Sequence, residues 1–339
     1  MSEKFIPYPI ADMHCDMLDY LISEKNARPD NEEDIGCAIP YLVKGNVKFQ
    51  VMAMYTAVEK ESPKKLIQQA EKFQKLITHH NKIFDHVYTA DDANKILASG
   101  KIGLLLSIEN ASGLCNEEEP LTEAFSRFEN LGKKFKSVFY ISFTHHGENR
   151  FGGGNYTKVG LKDDGRELLN YLSNKKIAID LSHTSYALAH DIINHIDKHK
   201  LALPIIASHS NFRSISDHVR NLPDEIAKEI VSRNGLIGVN FLRLFLHPDK
   251  PEKLIENILY GFQSGASKAL CFGADFFYTK DHPDPSRQPF YFSEHENAAK
   301  YQDILKSLDK ILSREEITSL AYKNVVNFIQ RLFGSGEYK

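Results

Sequence analysis

Eight short, nearly unbroken apolar runs recur along this 339-residue chain, and polar residues gather at one end of them. The runs are residues 11–14 (ADMH), Val47–Tyr55 (VKFQVMAMY), Ile102–Glu109 (IGLLLSIE) and 137–144 (SVFYISFT). Residues 177–183 (IAIDLSH), 204–209 (PIIASH), 236–241 (LIGVNF) and 269–276 (ALCFGADF) complete the set. Most lack polar alternation, the mark of strands buried on both faces in a parallel sheet. Helical patterns fill the gaps. Ser62-Pro63 reads as a cap with proline in the first turn, and Leu66, Ala70, Phe73 and Ile77 then form one apolar face. Residues 161–172, 184–196, 224–233 and 251–262 read as helices too, and Arg233-Asn234-Gly235 as a helix stop. The alternation predicts an α/β fold, a (β/α)8 TIM-type barrel with additional C-terminal helices, spanning residues 1–339 as one domain. A doubly wound open sheet is the alternative.

In a parallel barrel the C-terminal strand ends meet at one mouth. His14 and Asp16 close the first run, Glu109 the third, and His145 follows the fourth. His183 and His209 close the fifth and sixth, and Asp275 lies near the end of the eighth. His14 and Asp16 stand two residues apart, on one face of a strand, and could share a divalent metal. A buried histidine bonded to a neighbouring carboxylate is the plainer alternative. An ionised Glu109 after IGLLLSI is costly unless paired or metal-bound, or unless it has already reached solvent. Three imidazoles and two carboxylates exceed what one open tetrahedral zinc site takes from a protein. They suit two metals that share a carboxylate with a hydroxide between them. Asp275 would then remain as a proton carrier and His145 as an electrophilic helper, with a wet loop pair as the bland reading of His145-His146. Cys15 should point away from the face of His14 and Asp16. The glycines 152–154 read as a flexible loop beside the site, since no phosphate-loop motif surrounds them. His79, His80, His195 and His199 read as surface residues.

The remaining features exclude other classes. With 42 basic against 45 acidic side chains and no basic run, nothing suits nucleic acid. No apolar stretch reaches the roughly 18 residues of a membrane span. The leading MSEKFIPYPIADMHCD has no apolar core of an export signal, and GSGEYK carries no anchor signal, so a cytoplasmic protein is expected. Four cysteines without CxxC spacing read as reduced thiols.

The motifs DMHCD, SIEN, FTHHGEN, IDLSHTS, ASHSN, RNLPDE, GVNF and FGADF stand in an order that resembles the membrane (renal-type) dipeptidases, zinc peptidases with many soluble bacterial members. The resemblance covers nearly the whole chain. It implies a barrel with two Zn2+ ions, manganese, iron or cobalt being compatible with the same ligands. Carried over, His14, Asp16 and Glu109 hold one zinc, and Glu109, His183 and His209 the other. Asp275 manages protons, and His145 polarises the scissile carbonyl. Arg220, which alone would read as a surface charge, binds the terminal carboxylate of a small dipeptide. Another binuclear amidohydrolase, acting on N-acyl amino acids or cyclic amides, and a non-catalytic metal-binding barrel are the rival readings. A homodimer is left open. Two departures stand out: the segment after Asp275 (FFYTKDHPDPSRQPFYF) is unlike the usual loop, and the family's Gly-x-Asn is Tyr322-Lys323-Asn324 here.

Overall fold

The computed structural model describes residues 6–334. Residues 1–5 and 335–339, on which the reading of export and anchor signals partly rests, lie outside them. Each apolar run forms a strand: β1 (Ile10–Cys15), β2 (Val47–Tyr55), β3 (Ile102–Glu109), β4 (Tyr140–Ser142), β5 (Ala178–Asp180), β6 (Ile205–Ile206), β7 (Ile237–Val239) and β8 (Leu270–Phe272). All pair in parallel and in chain order. The register runs through Ala11↔Phe49, Tyr55↔Glu109, Ile108↔Ile141, Ser142↔Asp180 and Asp180↔Ile206. An Ala207↔Ile237 bridge joins β6 to β7, and Gly238↔Cys271 and Asp12↔Phe272 bring β8 back to β1. The sheet is therefore a closed barrel rather than an open doubly wound one. A short strand, Phe84–His86, pairs outside the ring with the start of β3, and the sequence reading passed over it.

Strand periodicity sorts the core into two layers. On β3, Leu104, Leu106 and Ile108 join the large cluster shared with the surrounding helices, including Leu66, Ala70 and Phe73 of the helix Ser62–His79. Leu105 joins a second cluster with Met13, Phe49, Val51 and Cys271. The C-terminal helix Asn324–Phe333 completes that cluster with Val325, Phe328, Ile329 and Leu332, and so closes the N-terminal end of the barrel. Asn324 donates to the carbonyls of Ser267 and Leu270 there, which keeps the asparagine of the departed motif in a structural role.

Two local expectations are corrected. Ser62 does not cap its helix: its hydroxyl donates to Ala57 O (2.6 Å) and accepts from Glu59 N (3.2 Å), because the preceding turn reaches it first. Glycines 152–154 are buried, and Gly152–Gly153 pair antiparallel with Glu148–Asn149 instead of forming an open loop. A side chain at Gly154 would lie 2.1 Å from His145 O, so the glycine lets this segment brace the His145-His146 turn. Among the described residues no helix is long and apolar enough to cross a membrane.

Candidate functional site

All the polar strand-end residues converge at the C-terminal mouth of the barrel. Glu109 ends β3 on the face of Leu105, so the alternation that packs Leu105 inside also aims Glu109 inward. His183 and Asp275 lie just past β5 and β8 with left-handed backbone (φ 66° and 64°). Non-glycine residues pay about 1–3 kcal/mol for such conformations, which persist where the surroundings impose them. Here the Asp275 N–H donates to His14 O (3.2 Å), and the His183 carbonyl accepts from Thr144 Oγ1 (3.2 Å).

Glu109 stands between two donor sets. Its Oε2 lies 3.3 Å from His14 Nε2, and that nitrogen is 3.7 Å from Asp16 Oδ1 and 3.7 Å from Asp275 Oδ1. Its Oε1 lies 3.0 Å from His183 Nε2 and 3.5 Å from His209 Nε2. The last two nitrogens are 2.8 Å apart. His14, Asp16 and Glu109 form one group able to hold a cation, and Glu109, His183 and His209 another.

Outer hydrogen bonds set the tautomers. Tyr140 Oη donates to Met13 O (2.9 Å), so at 2.7 Å from His14 Nδ1 it must accept that ring's proton. Nε2 is then the His14 nitrogen that faces the site, where a cation would take the place of its proton. Ser208 Oγ likewise donates to Asp180 Oδ2 (2.6 Å) and accepts from His209 Nδ1 (2.6 Å), which frees His209 Nε2. Such outer partners orient metal ligands. Asn240 Nδ2 donates to Asp275 Oδ2 (2.8 Å) and leaves Oδ1 facing the cluster. The sequence reading named none of Tyr140, Asp180, Ser208 or Asn240. The one signal present was a buried polar residue inside an apolar run, as in IDLSH and GVNF.

The electrostatics match a cation site. Burial works against a charge on His14, yet Glu109, Asp16 and Asp275 outweigh it and hold the imidazole up at about 10. Burial also opposes the Glu109 charge, but His14, His183 and His209 keep its carboxyl well below the usual range. Burial and then the Glu109 charge push Asp16 well up, and burial raises Asp275 to about 6. His14 Nε2 and Asp16 Oδ1 are buried without hydrogen-bond partners. Orphaned buried atoms of this kind are costly, and divalent cations would satisfy them.

A cavity of about 260 Å³ opens over the cluster, lined among others by Tyr55, His145, His183, Phe245 and Asp275. His145 is not part of a wet loop pair. Its ring lies 4.3 Å from His183 and 4.9 Å from Tyr55, and burial lowers it to about 3, so it is neutral. Its neighbour His146 is held by Asn155 Oδ1 at 2.9 Å. Arg220 is not a surface charge either: only 3% of it is exposed. Its Nη1 donates to Ser210 Oγ (2.7 Å) and its Nη2 to His209 O (2.9 Å), while Nε has no partner. The guanidinium packs 5.5 Å from the ring of Phe245, behind the cavity wall. Among the described residues no carboxylate forms an ion pair with it. Cys15 turns away from the site, with its Sγ 3.8 Å from Met52 Sδ, and all four cysteines are free and buried.

A family model described as membrane dipeptidase (peptidase family M19) matches residues 5–332. Dipeptidase tcpJ of Claviceps purpurea is 24% identical over 286 residues, which are 81% of this chain and 62% of that protein. Dipeptidase verJ of Clonostachys rogersoniana is 25% identical over 237 residues, 67% of this chain and 55% of that one. The match thus spans less than two thirds of either relative. A metallo peptidase from Rhodobacter sphaeroides, solved with a phosphinate mimic of the dipeptide L-Ala-D-Ala, superposes with a TM-score of 0.82 at 16% identity, over 96% of this chain and all of that one. The family M19 metallo peptidase dipeptidase AC gives 0.83 at 18% identity, over 97% of this chain and all of that one. At these identities the superpositions speak for the fold.

Proposed function

The chain belongs to the membrane dipeptidase family, and on that footing we propose that it is a metal-dependent hydrolase of dipeptides, acting as one barrel domain with two zinc ions. The observation that carries the reading is the division of Glu109, one oxygen toward His14 and Asp16 and the other toward His183 and His209. A carboxylate so placed would bridge two ions, each completed by residues of its own side. Bound there, the ions would supply Lewis acidity and lower the pKa of a water at the site.

The chain's own residues then have separable tasks. Asp275, with Oδ2 held by Asn240 and Oδ1 facing the cluster, takes a proton from the attacking water and returns it to the leaving amine. His145, neutral at the cavity wall, donates an N–H to the carbonyl oxygen as charge develops on it. Arg220 takes the substrate's terminal carboxylate. Its buried Nε without a partner supports this, since a guanidinium grips a carboxylate through parallel charge-assisted bonds.

Arg220 separates a dipeptidase from a broader amidohydrolase. Arg220→Met is expected to cost about 2–4 kcal/mol in kcat/KM for a free dipeptide, the scale for truncating a buried charged contact. The same dipeptide amidated at its C-terminus should lose much less. An equal loss for the two substrates would remove carboxylate recognition and shift the reading to N-acyl amino acids or cyclic amides.

A further inference from the structure

The loop after β8, where the sequence departs from its family, places an arginine and a histidine at the cavity. Arg287 and His282 both line it. The loop is pinned to the site. Tyr291 Oη donates to Asp275 O (2.5 Å) and accepts from Phe277 N (3.2 Å), and Gln288 Nε2 donates to Thr279 O (2.7 Å). Phe290, itself buried, packs against both side chains, 5.0 Å from the Arg287 guanidinium and 4.7 Å from the His282 ring.

Arg287 keeps a donor that the chain does not use. His282 Nδ1 lies 3.1 Å from Asp284 N and 3.3 Å from Asp284 O, and its Nε2 lies 3.3 Å from Arg287 Nη1. Arg287 Nε is buried with no partner at all. The Asp284 carboxylate stands close enough to feel the Arg287 charge, but its Oδ1 takes the N–H and hydroxyl of Ser286 and it makes no hydrogen bond to Arg287 Nε. Among the described residues no carboxylate forms an ion pair with Arg287. A carboxylate from outside the chain would accept from Arg287, with His282 beside it.

The position of the pair says which part of a substrate it meets. Arg220 packs on Phe245 (5.5 Å) and Arg287 on Phe290 (5.0 Å), and Phe245 and Phe290 belong to one buried cluster with Leu242, so the two guanidiniums share one side of the cavity. Arg220 is the proposed anchor of the terminal carboxylate. We propose that Arg287 and His282 read a second carboxylate, the side chain of an aspartate or glutamate at the C-terminal position of the dipeptide. The inference rests on the dipeptidase reading above.

The test is steady-state hydrolysis of Ala-Asp, Ala-Glu, Ala-Asn and Ala-Gln, each with an L and a D C-terminal residue, by the zinc-loaded full chain and by Arg287→Met and Arg287→Lys. The native protein should favour acid over amide by about 10- to 100-fold in kcat/KM, the worth of one or two charge-assisted hydrogen bonds. Arg287→Met should bring the ratio close to one, chiefly through KM. Arg287→Lys, which keeps the charge, should retain part of it. A native ratio near one, or a ratio that survives in a folded, metal-replete Arg287→Met, would overturn the assignment while leaving the dipeptidase reading intact. Absence of hydrolysis for every dipeptide would instead remove the dipeptidase reading, and this inference with it.

Discussion

At the floor of the barrel, Phe139, Leu236, Val325, Phe328, Ile329 and Leu332 pack into one buried apolar cluster. At the mouth, His14, Glu109, His183, His209 and Asp275 crowd together, all buried. The same strands supply both ends. Leu105 and Glu109 lie on one face of β3, one in each environment. The floor gains from removing apolar surface from water. The mouth buries groups that would repel or go unsatisfied without a cation, and it is held by outer hydrogen bonds rather than by packing. Stability and chemistry are therefore assigned to opposite ends of a single set of strands, and substitutions should separate them.

The largest effect is expected at the floor. Ile329→Ala removes a fully buried side chain and should lower unfolding stability by about 2–5 kcal/mol. Denaturant titration would read this, while kcat per folded molecule stays at its native value. A fall in kcat of the folded variant would mean that the two ends are coupled. At the mouth the pattern should invert. Asp275→Asn is expected to keep its metal and its fold but to lose about 10²-fold or more in kcat, the scale of a positioned acid–base. Near-native turnover would place the proton carrier elsewhere, and loss of metal would make Asp275 a ligand. Ser208→Ala touches neither substrate nor cation, yet it breaks the link from Asp180 to His209. It should weaken metal binding by about 10- to 100-fold, as outer-partner changes do. Competition against a chromogenic chelator would measure this, and an unchanged affinity would show that His209 needs no orienting partner.

The barrel was legible because strands buried on both faces appear as apolar runs, and all eight were read as such. Their lengths were less legible: residues 137–144 shorten to Tyr140–Ser142 and residues 204–209 to Ile205–Ile206, although Phe139 and Ala207 beside them still bond to neighbouring strands. Phe84–His86 was missed because three residues, two of them polar, carry no period. The clustered residues were legible because each ends a strand. Their supports were less so, because apart from Ser208 beside His209 the partners come from other strands. Tyr140 and His14 are 126 positions apart, and nothing near either one announces the bond. Arg220 shows the same limit: its neighbours in sequence suggest a surface loop, while its contacts with Ser210 and His209 bury it.

The central claim is that Glu109 joins two cation sites that together hydrolyse dipeptides. The most direct test strips the protein with a chelator, returns zinc in sub-stoichiometric steps, and follows both bound metal and hydrolysis of one dipeptide. The account expects no turnover without metal, two ions bound per chain at saturation, and activity that is complete only at the second. Full activity at a single equivalent, or dipeptide hydrolysis that persists in the stripped protein, would contradict it.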